Sequence, residues 1–156
     1  MLATKIAIFY HCAIMGNWEE VDAEIMKVLK DSGLLERADV FVRNDCKDIE
    51  LFEFPTLQML DQFAVNNPDY YILYLMDKGV SKPTCHQAGD WRRCMLYWNV
   101  QRWEECVAKL DEGFDAVGIN VLDSPQRHSF YPPEIPLEMS LRRINHVYSY
   151  CVKSFI

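Results

Sequence analysis

The chain has no run of about 18 consecutive apolar residues, so no membrane-spanning helix is predicted. Its opening apolar stretch, through Ile6-Ala7-Ile8-Phe9-Tyr10, has no charged segment ahead of it and no small-residue cleavage site after it. It therefore reads as a first β-strand rather than a secretory leader, and a cytoplasmic setting is expected. No Cys-x-x-Cys occurs among the six cysteines, Cys12, Cys46, Cys85, Cys94, Cys106 and Cys151, which removes support for a redox motif or a paired zinc knuckle. Cys85-His86 with Cys94 is the nearest metal-like grouping, and no second pair completes it. Reduced thiols packing as small hydrophobes are the expectation, with no disulfide among the six. Basic charge is also short: the net charge of −7 makes the chain a poor general binder of phosphate backbones, so no nucleic-acid partner is expected. Gly-x-Gly-x-x-Gly, the P-loop and Gly-x-Ser-x-Gly are all missing, which weighs against dinucleotide enzymes, P-loop kinases and α/β-hydrolases. Asp-x-Asp is missing too, Asp22-Ala23-Glu24 being its closest approach, inside a predicted helix.

What is present is an ordinary globular composition, 50% apolar and 25% charged over 156 residues. That length suits one domain, residues 1–156, with a core large enough to stand without staples. Lys5–Ile14 contains a compact β-branched and aromatic run. After Gly16 the period changes: Trp18, Val21, Ile25, Val28 and Leu29 recur at helical spacing, with Asn17 and Glu20 placed as a capping box and Gly33 as a stop. Asp39–Arg43 reads as a second strand, and a helix opens at Pro55-Thr56 with Leu57, Leu60, Phe63 and Ala64 on one face. Tyr70–Met76 is apolar on both faces, as a central parallel strand must be. A loop through Pro83 precedes a long helix from Asp90 to Gly113, with Leu96, Val100, Trp103, Val107 and Leu110 inward. Phe114–Ile119 is a fourth strand.

From 125 the chain becomes Pro-rich, and Leu137, Leu141, Ile144, Tyr148, Cys151 and Phe155 predict a final amphipathic helix. This alternation predicts an α/β domain, three-layered and Rossmann-like, with a mainly parallel sheet. Ile8, Val40, Leu73 and Val117 are expected in neighbouring strands, with residues 1–124 as the core.

Open parallel sheets bind ligands beyond the carboxyl ends of their strands. Polar residues stand at each predicted end: Tyr10 and His11, Asn44 and Asp45, Asp77 and Lys78, and Asn120. Strands commonly end in polar residues, so any one of these is weak evidence; as a set they predict a shared rim. Gly79 permits a sharp turn or a close ligand approach after Asp77-Lys78. Trp91-Arg92-Arg93, near a helix start, combines an aromatic ring with two cations and suits an anion.

Several segments in order, Tyr74-Leu75-Met76-Asp77-Lys78-Gly79-Val80-Ser81, Trp91-Arg92 with Met95 and Tyr97, Arg102-Trp103 with Cys106, and Gly113-Phe114-Asp115-Ala116-Val117-Gly118-Ile119-Asn120, resemble a glycosyltransferase-like family of bacteria and viruses. In that family they read roughly Tyr-Leu-His-Thr-Lys-Gly-Val-Ser, Trp-Arg-x-x-Met-x-Tyr and Tyr-Asp-Ala-Val-Gly-Val-Asn. Ile8-Phe9-Tyr10-His11 and Asn17-Trp18-Glu19-Glu20 match its first strand and helix, so the resemblance covers about residues 5 to 124. Met76-Asp77 stands where the family has His-Thr, and the C-terminal region diverges from the family's.

The resemblance implies a GT-A-like fold that binds a nucleotide-sugar donor and passes the sugar to a glycan acceptor. A divalent metal (Mn or Mg) is admitted as a companion, with no ligand assigned. On this reading Tyr10, His11, Lys78, Gly79, Arg92 and Asn120 hold the donor, and Lys78 and Arg92 offset the diphosphate charge. Asp77 is the base toward the acceptor, preferred over Asp115 because it follows a strand end. Two alternatives remain open: a non-catalytic nucleotide- or sugar-binding or assembly module derived from such an enzyme, and an acidic interaction domain without a small-molecule site.

Overall fold

The computed structural model describes residues 4–44, 53–118 and 149–153. In order these form β1 (Lys5–His11), α1 (Trp18–Asp31), a 3-10 turn (Leu34–Glu36), β2 (Ala38–Arg43), α2 (Phe54–Asn66), β3 (Tyr70–Met76), α3 (His86–Leu96), a π-helical turn (Tyr97–Gln101), α4 (Trp103–Asp111), β4 (Ala116–Gly118) and β5 (Ser149–Lys153). The chain is thus mixed α/β. No helix among the described residues is long and apolar enough to cross a membrane.

The five strands form one sheet in the order β2-β1-β3-β5-β4. β1 is the axis. It pairs in parallel with β2 on one side and β3 on the other, with Ile8 opposite both Val40 and Leu73. The expected neighbourhood of Ile8, Val40 and Leu73 is therefore present. Val117 is not beside Leu73, because antiparallel β5 lies between them and Cys151 is the register partner of both. The expected C-terminal helix also changes. Ser149–Lys153 is extended and supplies that strand; residues 137–148 and 154–156 lie outside the described residues. At Cys151 the helical spacing is overridden by the hydrogen-bonding groups of β3 and β4, which pair with this segment as a strand.

The two faces of the sheet are covered by different helices. Ile6, Ile8 and Tyr10 of β1, with Cys12 just beyond it, alternate onto one face and join Leu73, Leu75, Val21, Ile25, Leu29, Val100 and Leu110. Ala7, Phe9, Ile72 and Tyr74 occupy the other, under Leu57, Leu60 and Phe63 of α2. There Phe9 stacks on Phe41 at 4.8 Å, and Phe63 meets Phe9 edge-on at 5.3 Å and Tyr70 edge-on at 5.1 Å. Such pairs add about 0.5–1.5 kcal/mol each beyond the area they bury.

Three local expectations shift. Asn17 occupies the α1 N-cap, yet its side chain makes no capping bond; its Nδ2 donates to Glu20 Oε2 at 3.4 Å, because the preceding Gly16 turn holds Asn17 away from the extended conformation a cap uses. The helix assigned to 90–113 starts earlier, at His86, so Asp90 lies inside it. That helix is also interrupted. The Tyr97–Gln101 turn is π-helical, and the Cys106 thiol donates to the Trp98 carbonyl at 3.4 Å, satisfying an acceptor in the widened turn.

A small cavity of about 20 Å³ lies beneath this interruption, lined by Ile6, Tyr71, Asn99, Trp103 and Leu110 among others. Ile6 and Tyr71 belong to the amino ends of β1 and β3, so the cavity is at the sheet edge opposite the strand ends that carry polar residues.

Candidate functional site at the β1/β3 switch point

From β1 the chain crosses to β2 on one side, and from β2 it returns to β3 on the other. The direction of winding therefore reverses between β1 and β3, and the crevice beyond their carboxyl ends is where doubly wound sheets receive ligands. His11 ends β1 opposite Met76, and Asp77 follows one residue later, its backbone N–H donating to the His11 carbonyl at 3.3 Å.

The side chains at this point divide between the two faces. His11 is 5% exposed and turns toward α2, where its Nδ1 is hydrogen-bonded to Thr56 Oγ1 at 2.8 Å. Thr56 is fully buried in the first turn of α2, placed there by Pro55 beside it. Asp77 is 2% exposed and turns to the α1 face. Its Oδ2 accepts the Ala13 N–H at 2.6 Å, and the Cys12 thiol donates to the same carboxyl. The one-residue offset explains the split, since successive side chains of a strand alternate between faces.

Burial dominates the electrostatics of Asp77. Removal from water pushes its carboxyl up to about 6, against the lowering effect of the Ala13 N–H and the Cys12 thiol; the Asp22 carboxylate on α1 raises it further. Tyr10 is fully buried beside it. Burial first, then the nearby Cys12 and Asp77, raise its hydroxyl well above the usual phenol value. No hydrogen bond of standard geometry reaches the Tyr10 hydroxyl among the described residues.

Lys78 and Gly79 follow on the β3–α3 loop. Lys78 is half-buried, and Gly79 has φ +100°, with Ala88 packed 3.1 Å from where a Cβ would stand. Arg92 is 7% exposed, and its guanidinium is committed within the protein: Nε and Nη2 donate to Glu24 Oε2 at 2.9 and 2.6 Å, and Nη1 donates to the Lys78 carbonyl at 2.6 Å. It braces the loop against α1. Arg93, exposed beside it, donates to Glu24 and Asp90. Arg92→Lys retains the charge and loses the fork, so a loss of about 1–2 kcal/mol with an unchanged denaturant slope is expected in urea titration.

Of the predicted site residues, Tyr10, His11, Asp77, Lys78 and Gly79 lie at or just after the carboxyl ends of β1 and β3, with Tyr10 and Asp77 on the α1 face and His11 on the α2 face. Asp115 is exposed and precedes β4, at the amino edge, far from the switch point. Asn44 is exposed at the end of β2. Asp45 and Asn120 lie outside the described residues, as do Cys46 and the side chain of Cys151. The four described cysteines, Cys12, Cys85, Cys94 and Cys106, are free thiols. Among the described residues no group of three or more His, Cys, Asp or Glu side chains is arranged to hold a metal ion.

Sequence reasoning missed Thr56, Cys12 and the Ala13 amide. Strand parity was the available signal for Cys12, which must share a face with Tyr10; Thr56 had only its place after Pro55. In comparisons with protein-family models, curated proteins and solved structures, no significant match was found.

Proposed function

We propose that the chain is a glycosyltransferase-like protein of Rossmann-like, GT-A-like architecture, which binds a nucleotide-sugar at the β1/β3 switch point and passes the sugar to an acceptor hydroxyl. The observation that carries this reading is Asp77: a carboxyl at the switch point, raised to about 6 by burial. A base titrating near neutrality combines a large ionised fraction with enough basicity to take a hydroxyl proton. Asp77 accepts the acceptor's proton as the bond to the sugar carbon forms and the nucleoside diphosphate leaves. Lys78, next in the chain, offsets the charge growing on the diphosphate. Four free thiols suit a reducing compartment such as the cytoplasm.

A second reading, a non-catalytic nucleotide- or sugar-binding module, is favoured by one specific observation. Asp77 and His11 are almost fully covered, and the Arg92 donors are spent on Glu24 and Lys78.

Both readings are tested by thermal shift and titration calorimetry with a panel of nucleoside diphosphates and nucleotide-sugars, with and without manganese. A ligand at a hundred times its dissociation constant should add about 2.7 kcal/mol of stability. Lys78→Ala should weaken diphosphate binding more than tenfold, because a charged partner in a partly desolvated site is lost. Binding with donor turnover supports the enzyme, binding without turnover supports the module, and no binding with any nucleotide overturns both.

A further inference from the structure

β2 is the last strand on its side of the sheet, and no described strand lies beyond it. Backbone groups of a strand point alternately to its two sides. The Cys12 N–H donates to the Arg43 carbonyl at 2.9 Å, so Asp39, Phe41 and Arg43 address β1. Val40 and Val42 therefore turn their N–H and C=O groups outward. The Val42 side chain is also 48% exposed, on an edge of the kind that proteins commonly guard with charge or proline. This strand carries one charge of each sign, exposed Asp39 and half-buried Arg43, both on the same face as Phe41.

We propose that β2 pairs antiparallel with β2 of a second copy of this chain, about a two-fold axis at Phe41, so that the two sheets become one.

The register follows from the backbone and the charges together. Centred on Phe41, Val40 of each copy faces Val42 of the other, and these residues exchange both their outward hydrogen bonds. The two Phe41 residues form the close, non-hydrogen-bonded pair at the axis and extend the Phe9–Phe41 stack across the junction. Asp39 of each copy stands opposite Arg43 of the other, which symmetry makes two ion pairs. A one-residue slip sets outward groups against groups already spent on β1. Centring on Val40 sets Arg37 against Arg43, and centring on Val42 sets Asp39 against Asp45, like charges in both cases. Asp39 also accepts from the Tyr70 hydroxyl at 2.9 Å, and Arg43 donates to the Pro55 carbonyl at 3.5 Å. A carboxylate with two oxygens and a guanidinium with five N–H groups accommodate the new pair beside these bonds. One strand edge is a small contact, so association should depend on concentration. The dimer requires no substrate and stands apart from the transfer reaction.

Sedimentation velocity of the full chain under reducing conditions, from about 1 μM to 1 mM, should show a monomer–dimer equilibrium and no larger species. Amide hydrogen exchange at the two ends of that range reads the edge itself. Protection of the Val40 and Val42 amides should rise about tenfold or more with dimer, while that of the Phe41 amide, bonded to β1, stays the same. Arg43→Asp turns both ion pairs into like-charge contacts and should weaken association about tenfold or more; adding Asp39→Lys should restore it. Val42→Pro removes an outward N–H and no bond to β1, so it should abolish the dimer and leave the circular dichroism unchanged. A monomer throughout, species larger than the dimer, or a dimer indifferent to these variants overturns the proposal. So does a double variant that folds without restoring association, which would deny the Asp39–Arg43 register. Where a variant does not fold, exchange in the native protein decides, and equal protection of Val40 and Val42 at both concentrations overturns the pairing.

Discussion

Asp77→Asn should melt on the order of 6–10 °C higher than the native protein at pH 7.5 and at nearly the same temperature at pH 4. Burial lifts the Asp77 carboxyl from 3.8 to about 6, so the folded state binds its proton more tightly than the unfolded state does. The stability this contributes is complete below about pH 4 and is lost as the pH climbs through 6. The span corresponds to about 3 kcal/mol, which for a chain of this length is a shift of several degrees. Asparagine does not titrate, keeps the Ala13 hydrogen bond and avoids the loss. On the proposed transfer reaction, activity of the same variant should fall by about 10²–10⁴, because the proposed general base would be gone. Calorimetric melts from pH 4 to 8 beside a transfer assay check both. A neutral-pH melting point unchanged or lowered would mean that the carboxylate is stabilised in the native site rather than merely tolerated.

Gly16→Ala should cost more than about 3 kcal/mol, against about 1 kcal/mol for Gly33→Ala. Both glycines have positive φ, +56° and +72°, and an L-residue in that conformation costs roughly 1–2 kcal/mol. They differ in surroundings. Nothing lies within 4 Å of the position a Cβ would take at Gly33, whereas at Gly16 it would overlap the backbone carbonyl of Val80. Two backbones cannot escape by changing rotamer, so the β1–α1 and β3–α3 loops must part, and with them the cover of Asp77. Urea denaturation of the two variants side by side separates the contact from the conformational strain. Equal losses would show that the Val80 contact yields freely.

The alternation of strand and helix was legible because each element has a clear period. Tyr70–Met76 is continuously apolar and was bounded to the residue; Val21, Ile25 and Leu29 mark the buried face of α1. The strand ends followed, and with them Tyr10, His11, Asp77 and Lys78. What could not be read was pairing between distant segments. Nothing in Ser149–Lys153 announces that it enters between β3 and β4, since insertion depends on which edges are vacant rather than on the segment's own pattern. The role of Arg92 was hidden for the same reason. A cation near a loop suits an anionic ligand equally well until Glu24, 68 positions earlier, is seen to take it. The division of His11 and Asp77 between faces was available from parity, but only once the register of β1 against β3 was known.

The place of β5 also sets the order in which the sheet can be finished. β2, β1 and β3 are complete once residue 76 has been made, and they can pair in parallel on their own. β4 cannot join them, because its described partner is β5 and the space beside β3 belongs to that later strand. At roughly 5–20 residues per second of synthesis, Gly118 waits about 2–7 s before Lys153 exists. During that interval β3 presents an open edge of unpaired N–H and C=O groups, a template for any other extended chain. A growing chain of this protein is therefore most vulnerable to mispairing after most of its core is made, and the antiparallel strand that arrives last ends the exposure.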